Sequence, residues 1–365
     1  MKIHCSKTAL MEGINIVQTA VASKTTSSFL EGILVEAEET LKLTGFNLEI
    51  GIKSTVEADI IERGSLVLPS RLFSDIVRTL PDADIALTAA KNFEVQIDAE
   101  GSFFSIRGIT AEGYPLLPQV DQGIQFVLPQ NILKDMIKKT AFAVGLDQHR
   151  VILTGCLIES TGNELNMVAI DGYRVAWWKS FLEKGTVPMK VVIPGKSLSE
   201  LQKILSSSDE PIRANMSKNY ITFNTDKYMF LSRILEGEYL AYKSLIPTEF
   251  STTVRFETAR MLESVERACL VTGEDKKMQI HISVASDRMV ITAHSDNGNY
   301  KDMISVEQEG NDIEIMFNPK FVQDALRAIQ DEEKAKICFN SNVHPCVIKP
   351  DEGDSFFYMI LPLRV

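Results

Sequence analysis

The chain contains few of the residues that mark catalytic or cross-linked proteins. Its 365 residues include only five cysteines, which lie far apart: Cys5, Cys156, Cys269, Cys338 and Cys346. No two of them form a CxxC pair, so the sequence predicts neither a disulfide framework nor a zinc site. The five histidines form no HExxH motif, and no GxSxG elbow is present for a serine nucleophile. We therefore predict no cofactor and no metal site, and the sequence shows no clear candidate residues for catalytic chemistry.

Long apolar runs are also missing. No stretch approaches the roughly 20 residues that cross a bilayer, and the opening MKIHCSKTAL has no apolar signal-peptide core. We expect a cytoplasmic protein without a membrane partner. The net charge of −11 argues, by itself, against a protein coated in nucleic acid, because phosphate binding depends on lysine and arginine.

One segment looks like a nucleotide-binding loop but lacks its first glycine. Residues 191–205 read VVIPGKSLSELQKIL, whereas a P-loop requires GxxxxGK[ST] and Lys190 stands five positions before Gly195. Without the leading glycine the backbone cannot wrap the phosphates ahead of the lysine. We therefore predict no ATP site, and Lys196 needs another explanation.

The chain contains an internal threefold repeat. Residues 191–205 align with 66–80 and 315–329, at offsets of 125 and 124 residues. Earlier in each copy a second segment recurs, at 2–22, 125–145 and 253–273. Both segments change from alternating apolar residues to helical spacing, and the stretches between them alternate as hairpins do.

The repeat predicts an α+β protein with three similar domains. Each copy reads as strand, helix, strands, helix, strands, over about 120 residues, which is an ordinary domain size. Two helices would pack on antiparallel sheets in each domain. The predicted domains are 1–121, 122–248 and 249–365.

Basic residues recur at the same helical positions of the repeat. Two turns separate the members of each pair, which therefore share a helix face: Arg71 and Arg78, Lys196 and Lys203, and Lys320 and Arg327. The six helix-bearing segments together carry +6, although the whole chain carries −11. This segregation favours a surface that binds a polyanion, and ordinary solvated helix faces are the alternative.

The predicted basic surface has no features that would read bases. No aromatic residues interleave the basic positions, and no helix-turn-helix or zinc-finger spacing appears. Such a surface contacts phosphates without sequence preference, and its binding is sensitive to salt.

The whole chain resembles the bacterial DNA polymerase III beta subunit family, the DNA sliding clamps. The resemblance rests on the threefold layout, on AIDGYRVA at 169–176, on EGEYLAYKSLIP at 236–247 and on YMILPLRV at 358–365. It implies three clamp domains in a head-to-tail homodimer, whose six domains form a ring with the helices lining the hole.

The resemblance also implies a function and partners. The ring would encircle double-stranded DNA without sequence specificity, as a processivity factor that tethers a polymerase to its template. The resemblance implies that it is not an enzyme and has no catalytic activity of its own. The implied protein partners are DNA polymerase III, other polymerases, a clamp-loader ATPase, and repair proteins that carry a clamp-binding peptide.

Site residues follow from the resemblance and from the charge pattern. The implied DNA contacts are Lys24, Arg71, Lys196 and the stretch Asp147, Gln148, His149 and Arg150; the charge pattern adds Arg78, Lys138, Lys139, Lys203, Lys320 and Arg327. The implied peptide pocket comprises Leu153, Ile170, Gly172, Tyr173, Arg174, Val175, Leu240, Leu245, Val343, Met359, Leu361, Pro362 and Leu363. The implied dimer interface comprises Phe104, Ile106, Leu270 and Val271.

The sequence departs from the family pattern at the pocket. The usual Thr-Asp-Gly-His-Arg is here Ile170 to Arg174, and Leu240 replaces a usual proline. We therefore expect a reshaped and more apolar pocket, whose peptide preference the sequence leaves open. A scaffold that binds only proteins, and a hydrolase or transferase that uses Asp171 and Arg174, are the competing hypotheses.

Overall fold

The structure is a computed structural model that describes residues 1–22, 25, 27–120, 123–272, 279–296 and 298–364. Its α-helices are α1 (Lys7–Gln18), α2 (Ser70–Thr79), α3 (Gln130–Thr140), α4 (Gly195–Ile204), α5 (Thr258–Thr272) and α6 (Pro319–Ala328). Each helix directly follows a strand or is separated from it by one residue, as the repeat predicts. Within the described residues, no helix has the length and apolar character needed to cross a membrane.

The strands of the first half of the chain are short, apart from the last two. They are β1 (Lys2–Ser6), β2 (Gly32–Ala37), β3 (Leu41–Phe46), β4 (Ile50–Val56), β5 (Asp59–Glu62), β6 (Gly64–Pro69), β7 (Asp84–Ala89), β8 (Glu94–Ala99), β9 (Ser102–Arg107), β10 (Ile109–Thr110), β11 (Ile124–Pro129), β12 (Gly155–Ile170) and β13 (Arg174–Pro194).

The strands of the second half complete the sheets. They are β14 (Pro211–Met216), β15 (Tyr220–Asn224), β16 (Tyr228–Arg233), β17 (Thr252–Glu257), β18 (Ile280–Ala285), β19 (Arg288–Ser295), β20 (Gly298–Ser305), β21 (Glu307–Gly310), β22 (Ile313–Phe317), β23 (Lys334–Phe339), β24 (Cys346–Pro350) and β25 (Phe356–Ile360).

Local sequence signals explain where the helices begin and which face they bury. Ser6 caps α1 by accepting a hydrogen bond from the amide of Ala9 at 3.1 Å. Asn318 caps α6 in the same way, and Pro319 occupies the first helical position. In α1 the apolar side chains of Leu10, Ile14 and Val17 recur at helical spacing and are buried.

One compact unit consists of residues 1–130 and 200–234. It contains a five-stranded sheet in the order β5-β1-β7-β8-β9 and a nine-stranded sheet in the order β10-β6-β2-β3-β4-β16-β15-β14-β11. Tyr228 of β16 pairs with Ser54 of β4, so strands from the first two copies of the repeat share one antiparallel sheet.

The other compact unit consists of residues 131–199 and 235–365. Its sheets have the orders β12-β13-β25-β24-β23-β17-β21 and β20-β19-β18-β22. Val175 of β13 pairs with Met359 of β25, so the second and third copies of the repeat also share an antiparallel sheet. The domain boundaries near 121 and 248 stay a prediction.

Candidate functional site

Three equivalent cations stand at the starts of the repeated helices. Arg71, Lys196 and Lys320 are the second residues of α2, α4 and α6, and all three are exposed. Within the part of the chain that the structure describes, none of them has an ion-pair partner. Their charges are therefore available to a phosphate from outside the chain.

The second cation of each pair lies in the last turn of its helix and already has a carboxylate partner. The ion pairs are Arg78 with Asp75 at 2.8 Å, Lys203 with Glu200 at 2.8 Å, and Arg327 with Glu266 at 2.7 Å. A cation is favourable at this end of a helix because of the helix dipole. These exposed pairs are partly neutralised before any ligand arrives.

Within the unit of residues 1–130 and 200–234, Arg71, Arg78 and Lys203 line one open cleft of about 810 Å³. Arg107, at the end of β9, lines the same cleft. Sequence reasoning missed Arg107 because it lies on a strand, outside the repeated basic helices. Three carboxylates also line the cleft, so its cationic excess is small.

The remaining predicted DNA contacts differ in exposure. Lys138, His149 and Arg150 are exposed, and the preceding Asp147 accepts a hydrogen bond from the amide of His149 at 2.9 Å. Lys24 lies outside the described residues.

Lys139 requires a correction. It is only 4 % exposed, its ammonium lies 2.7 Å from the carboxylate of Asp331, and it packs 4.0 Å from the centre of the Trp178 ring. Its cation is therefore committed to the protein interior, and Lys139 does not belong to a surface that contacts DNA.

The turn at residues 170–174 is held by Asp171. Its Oδ1 accepts hydrogen bonds from the amides of Tyr173 at 2.9 Å and Arg174 at 3.0 Å. Gly172 has a φ of +95°, a left-handed conformation that favours glycine. The Asp-Gly pair therefore has a structural role in joining β12 to β13.

Arg174 fixes the same turn to distant parts of its unit. Its guanidinium donates to Asp171 at 2.9 Å, to Asp324 of α6 at 2.7 Å and to the carbonyl of Phe142 at 2.8 Å. It also lies 4.5 Å from the centre of the Phe321 ring. Arg174 is 9 % exposed, so we interpret it as a positioning residue rather than a ligand contact.

Several predicted pocket residues belong to the core. Leu153, Ile170, Val175 and Met359 are all at most 6 % exposed, and they pack in one apolar cluster with Tyr242. The sequence analysis predicts Met359 as a ligand contact of the pocket. The structure corrects this prediction, because the side chain of Met359 is buried in the apolar cluster.

Other predicted pocket residues are exposed. Large exposed fractions are found at Tyr173 (65 %), Leu240 (47 %), Leu245 (43 %), Val343 (57 %), Leu361 (37 %) and Leu363 (37 %), while Gly172 is exposed and Pro362 is half-buried. The amide of Leu361 donates to the carbonyl of Tyr173 at 2.9 Å, which brings the end of the chain beside the turn. The ring of Tyr173 stacks on Phe321, with centroids 6.3 Å apart.

A buried hydrogen bond anchors the segment that carries Leu240 and Leu245. Between them, Tyr242 donates from its hydroxyl to the carboxylate of Glu159 at 2.5 Å. Burial raises the pKa of Glu159, but the hydrogen bonds from Tyr242 and Lys243 outweigh it and hold that pKa below its usual value. Burial and the Glu159 carboxylate raise the pKa of Tyr242. The pair therefore stays as a neutral phenol donating to an anion.

The sequence matches three protein families, one in each third of the chain. They are described as the N-terminal, central and C-terminal domains of the DNA polymerase III beta subunit, and they match residues 1–118, 127–240 and 243–364. The chain belongs to the DNA polymerase III beta subunit family.

Proteins named as beta sliding clamps match this chain over nearly the full length of both sequences. The beta sliding clamp of Halalkalibacterium halodurans is 34 % identical over 97 % of each chain, and that of Staphylococcus aureus is 33 % identical over 96 % of each. The solved DNA polymerase sliding clamp of Bacillus subtilis matches with a TM-score of 0.95, at 31 % identity, over 100 % of this chain and 99 % of the other.

The family assignment confirms several predictions. The fold is α+β with three clamp domains, and the chain is a sliding clamp of DNA replication rather than an enzyme. This agrees with the geometry of Asp171 and Arg174, whose polar atoms are engaged in holding the turn.

The clamp's Gly-Lys-Ser segment has a packing explanation. An ideal Cβ on Gly195 would lie 2.9 Å from a methyl carbon of Val144 and 3.2 Å from the carbonyl oxygen of Thr154. Only glycine fits so close an approach, and no phosphate is needed to explain it. Among the described residues of the clamp, no group of three acidic, histidine or cysteine side chains could hold a metal ion.

The residues predicted at the clamp's dimer interface have unequal exposure. Phe104 lies on β9, at the edge of the five-stranded sheet, and is 37 % exposed, whereas Ile106 on the same strand is only 6 % exposed. Leu270 is 82 % exposed near the end of α5, and Val271 is half-buried. Ile106 therefore faces the core of its own chain, and the adjacent Phe103, 56 % exposed, offers more surface.

Proposed function

We propose that two copies of the chain close into a ring that encircles double-stranded DNA and tethers DNA polymerase III to its template. The exposed, equivalent cations at Arg71, Lys196 and Lys320 carry this proposal. Repeated basic positions without base-reading features suit phosphate contacts that allow movement along DNA. Further weak contacts would come from Arg78, Lys138, His149, Arg150, Lys203 and Arg327, with Lys24 as the family resemblance implies.

We also propose that partner proteins bind the exposed apolar residues around the 170–174 turn. Tyr173, Leu240 and Leu361 offer apolar surface beside a turn that Arg174 holds rigid. An extended peptide can place alternate side chains on such a surface. The proposed ligands are short segments of DNA polymerase III, of other polymerases and of repair proteins.

Ring opening would require a separate clamp-loader ATPase, so ATP hydrolysis would belong to that partner. The proposed site of action is the bacterial cytoplasm, where replication occurs. No metal or cofactor takes part in this proposal.

The proposed dimer joins the first domain of one copy to the third domain of its partner. β9 is an edge strand with exposed Phe103 and Phe104, and an unprotected edge favours pairing with another chain. The double variant Leu270→Ala, Val271→Ala is expected to sediment as a monomer. A dimer mass unchanged from that of the wild type would rule out this interface.

The ring proposal is tested by retention on closed circular and on linearised DNA. After loading by a cognate loader with ATP, we expect the protein to stay on circles at high salt and to leave linear DNA through its ends. If salt removes the protein equally from both, the chain binds by charge alone and the topological proposal fails.

The competing protein-only scaffold makes a separate prediction. Replacing Arg71, Lys196 and Lys320 together by glutamate would leave DNA association untouched if the chain were such a scaffold. A clamp with the same three changes is expected to lose DNA retention, while polymerase peptides still bind.

A further inference from the structure

A second concave site lies in the unit of residues 131–199 and 235–364, on its seven-stranded sheet. Its volume is about 460 Å³, within the range of ordinary ligand pockets. Two of its walls are the rings of Trp177 and Phe357, which stack with centroids 5.0 Å apart and an interplanar angle of 24°. Phe250 adds a third aromatic wall.

Three cations occupy one cross-strand row at this cavity. Lys336 of β23 lies directly opposite Arg255 of β17 on one side and Lys349 of β24 on the other. Directly opposed residues have their Cβ atoms about 4.5–5.5 Å apart, and like charges in such pairs are destabilising. All three residues line the cavity. A row of this kind becomes favourable when an anion binds across it.

Among the described residues, two of the three cations have no carboxylate within ion-pair distance. Arg255 lies 2.7 Å from Glu309 and 3.2 Å from Asp351. Lys336 donates to a neutral acceptor, the backbone carbonyl of Asp351, at 2.8 Å, and the ammonium of Lys349 lies 4.5 Å from the centre of the Phe250 ring.

The acidic groups of the cavity are already engaged. Glu309 pairs with Arg255, and Asp354 pairs with Lys179 at 2.7 Å. Among the described residues, neither Lys336 nor Lys349 has a carboxylate within ion-pair distance. The cavity therefore combines aromatic walls with two half-exposed ammonium groups that have no anionic partner there.

The aromatic walls of the cavity pack against the apolar cluster that contains the buried residues of the predicted peptide pocket. Trp177 and Phe357 lie against the cluster that contains Val175 and Met359. Each aromatic residue is two positions from its neighbour in the cluster, on the same strand and the same face, a distance of about 6.8 Å. The lysine row and the aromatic walls therefore lie on neighbouring strands of the sheet that carries the cluster.

We propose that this cavity binds an acidic flank of the partner peptide. One or two carboxylates of the flank pair with Lys336 and Lys349, and an aliphatic or aromatic side chain packs against Trp177 and Phe357. The inference rests on the proposed pocket, since the flank is the continuation of the peptide that binds there. Charge complementarity and the packing of the aromatic walls against the cluster select this occupant.

The test measures how much an acidic flank increases the affinity of a peptide for the protein. This increase in affinity is called the gain. Fluorescein-labelled peptides in which leucine alternates with serine, alone or with Asp-Glu-Asp added at either end, are titrated against the full-length protein by fluorescence anisotropy. We expect one of the extended peptides to bind about three- to tenfold more tightly, as two partly exposed ion pairs would provide. The gain should fall between about 50 mM and 300 mM salt, because screening weakens exposed ion pairs.

The variant Lys336→Gln, Lys349→Gln is expected to abolish the gain and to bind the unextended peptide like the wild type. Lys184→Gln, an exposed lysine of β13 away from the cavity, is the matched control and should keep the gain. The inference is overturned if the wild type shows no gain, or if the double variant shows an equal gain. Neither result contradicts the proposed peptide pocket.

Two further results are decisive. Failure of the unextended peptide to bind the wild type overturns the pocket proposal and this inference with it. Quenching of Trp177 by an oligo-dT strand that the double variant abolishes would assign the cavity to nucleic acid and overturn the peptide assignment.

Discussion

The basic helix positions and the 170–174 turn use the same kinds of side chain in opposite ways. Arg71 is exposed at the start of α2 and has no ion-pair partner among the described residues, whereas Arg174 is 9 % exposed and bonded to three separate groups. An exposed cation adds little to stability but remains free to meet a phosphate. A buried cation holds the fold together and is unavailable to a ligand.

Adjacent residues of one helix repeat the same contrast. Lys138 and Lys139 follow each other in α3, yet Lys138 is exposed and Lys139 is buried against Trp178 and Asp331. Burial therefore separates the cations that can contact DNA from those that stabilise the protein, and residue type alone does not.

The largest effect should come from Arg174→Ala. Removing a buried cation leaves Asp171 and Asp324 without their partner, so we expect the free energy of unfolding to fall by about 3–5 kcal/mol. Chemical denaturation measures the loss. Arg71→Ala is the matched arginine variant, and an equal loss in both variants would contradict the contrast between the two regions.

A smaller effect is expected from Tyr242→Phe. Glu159 loses its phenolic donor but keeps Lys243 at 3.0 Å, so the free energy of unfolding should fall by about 1–2 kcal/mol. Peptide binding should weaken as well, because Tyr242 anchors the segment with Leu240 and Leu245. Tyr220→Phe, on β15 in the other compact unit, serves as the control. Weaker peptide binding in that variant alone would argue against the anchoring role.

Lys139→Met and Lys138→Met test the two neighbours directly. Lys139→Met removes an ion pair and a cation–π contact, so it should lower the free energy of unfolding by about 1 kcal/mol and leave DNA binding unchanged. Lys138→Met should weaken DNA binding without a change in stability. Chemical denaturation and DNA titrations of both variants test this prediction. Weaker DNA binding by Lys139→Met, with unchanged stability, would place Lys139 on the DNA-binding surface.

Arg267 is intermediate between the two regions, with its side chain 42 % exposed and paired to Asp302 at 2.8 Å. The Arg267 hydrogen bond is the main cause that lowers the pKa of Asp302 to about 2. Because this pKa is below the usual value of about 3.9 in an unfolded chain, the carboxylate stabilises the fold above about pH 4. That contribution is lost as the pH falls toward about 2.

Acid denaturation of the wild type and of Asp302→Asn measures this contribution. The variant should be less stable at neutral pH, and the difference should shrink between about pH 4 and pH 2. A difference that stays constant over this range would show that Asp302 acts through something other than its charge.

The smallest effect on stability should come from replacing Arg71, Lys196 and Lys320 together by alanine. These exposed side chains should leave the unfolding midpoint unchanged. The slope of log K for DNA against log salt should become shallower by about 0.9 for each phosphate that the variant no longer neutralises. A lower midpoint with an unchanged slope would identify the three cations as structural.

Part of the fold could be predicted because its causes are local. The change from alternating to helical spacing marks β1 and α1, or β22 and α6, and Asn318 followed by Pro319 is a helix start that any structure would use. Because the segments repeat, the same strand-then-helix prediction applies to all three copies. The family patterns also singled out the 170–174 turn.

The exposure and the partners of each site residue could not be predicted in the same way. Lys138 and Lys139 differ because Trp178 and Asp331, distant in sequence, meet one of them and not the other. Arg107 joins the basic cleft from a strand, and Met359, which the resemblance implies is a pocket residue, faces a core cluster.

The sequence by itself determined the repeated helices, their capping and the equivalent cations, because hydrophobic period and charge position depend on near neighbours. The tertiary structure decided that Arg174 is a structural residue, since Asp324 lies 150 positions away. It also decided that Arg255, Lys336 and Lys349 share one row, since strand pairing joins residues far apart in the chain. Burial and pairing are properties of the folded chain, and they separate a cation that binds a ligand from one that holds the fold.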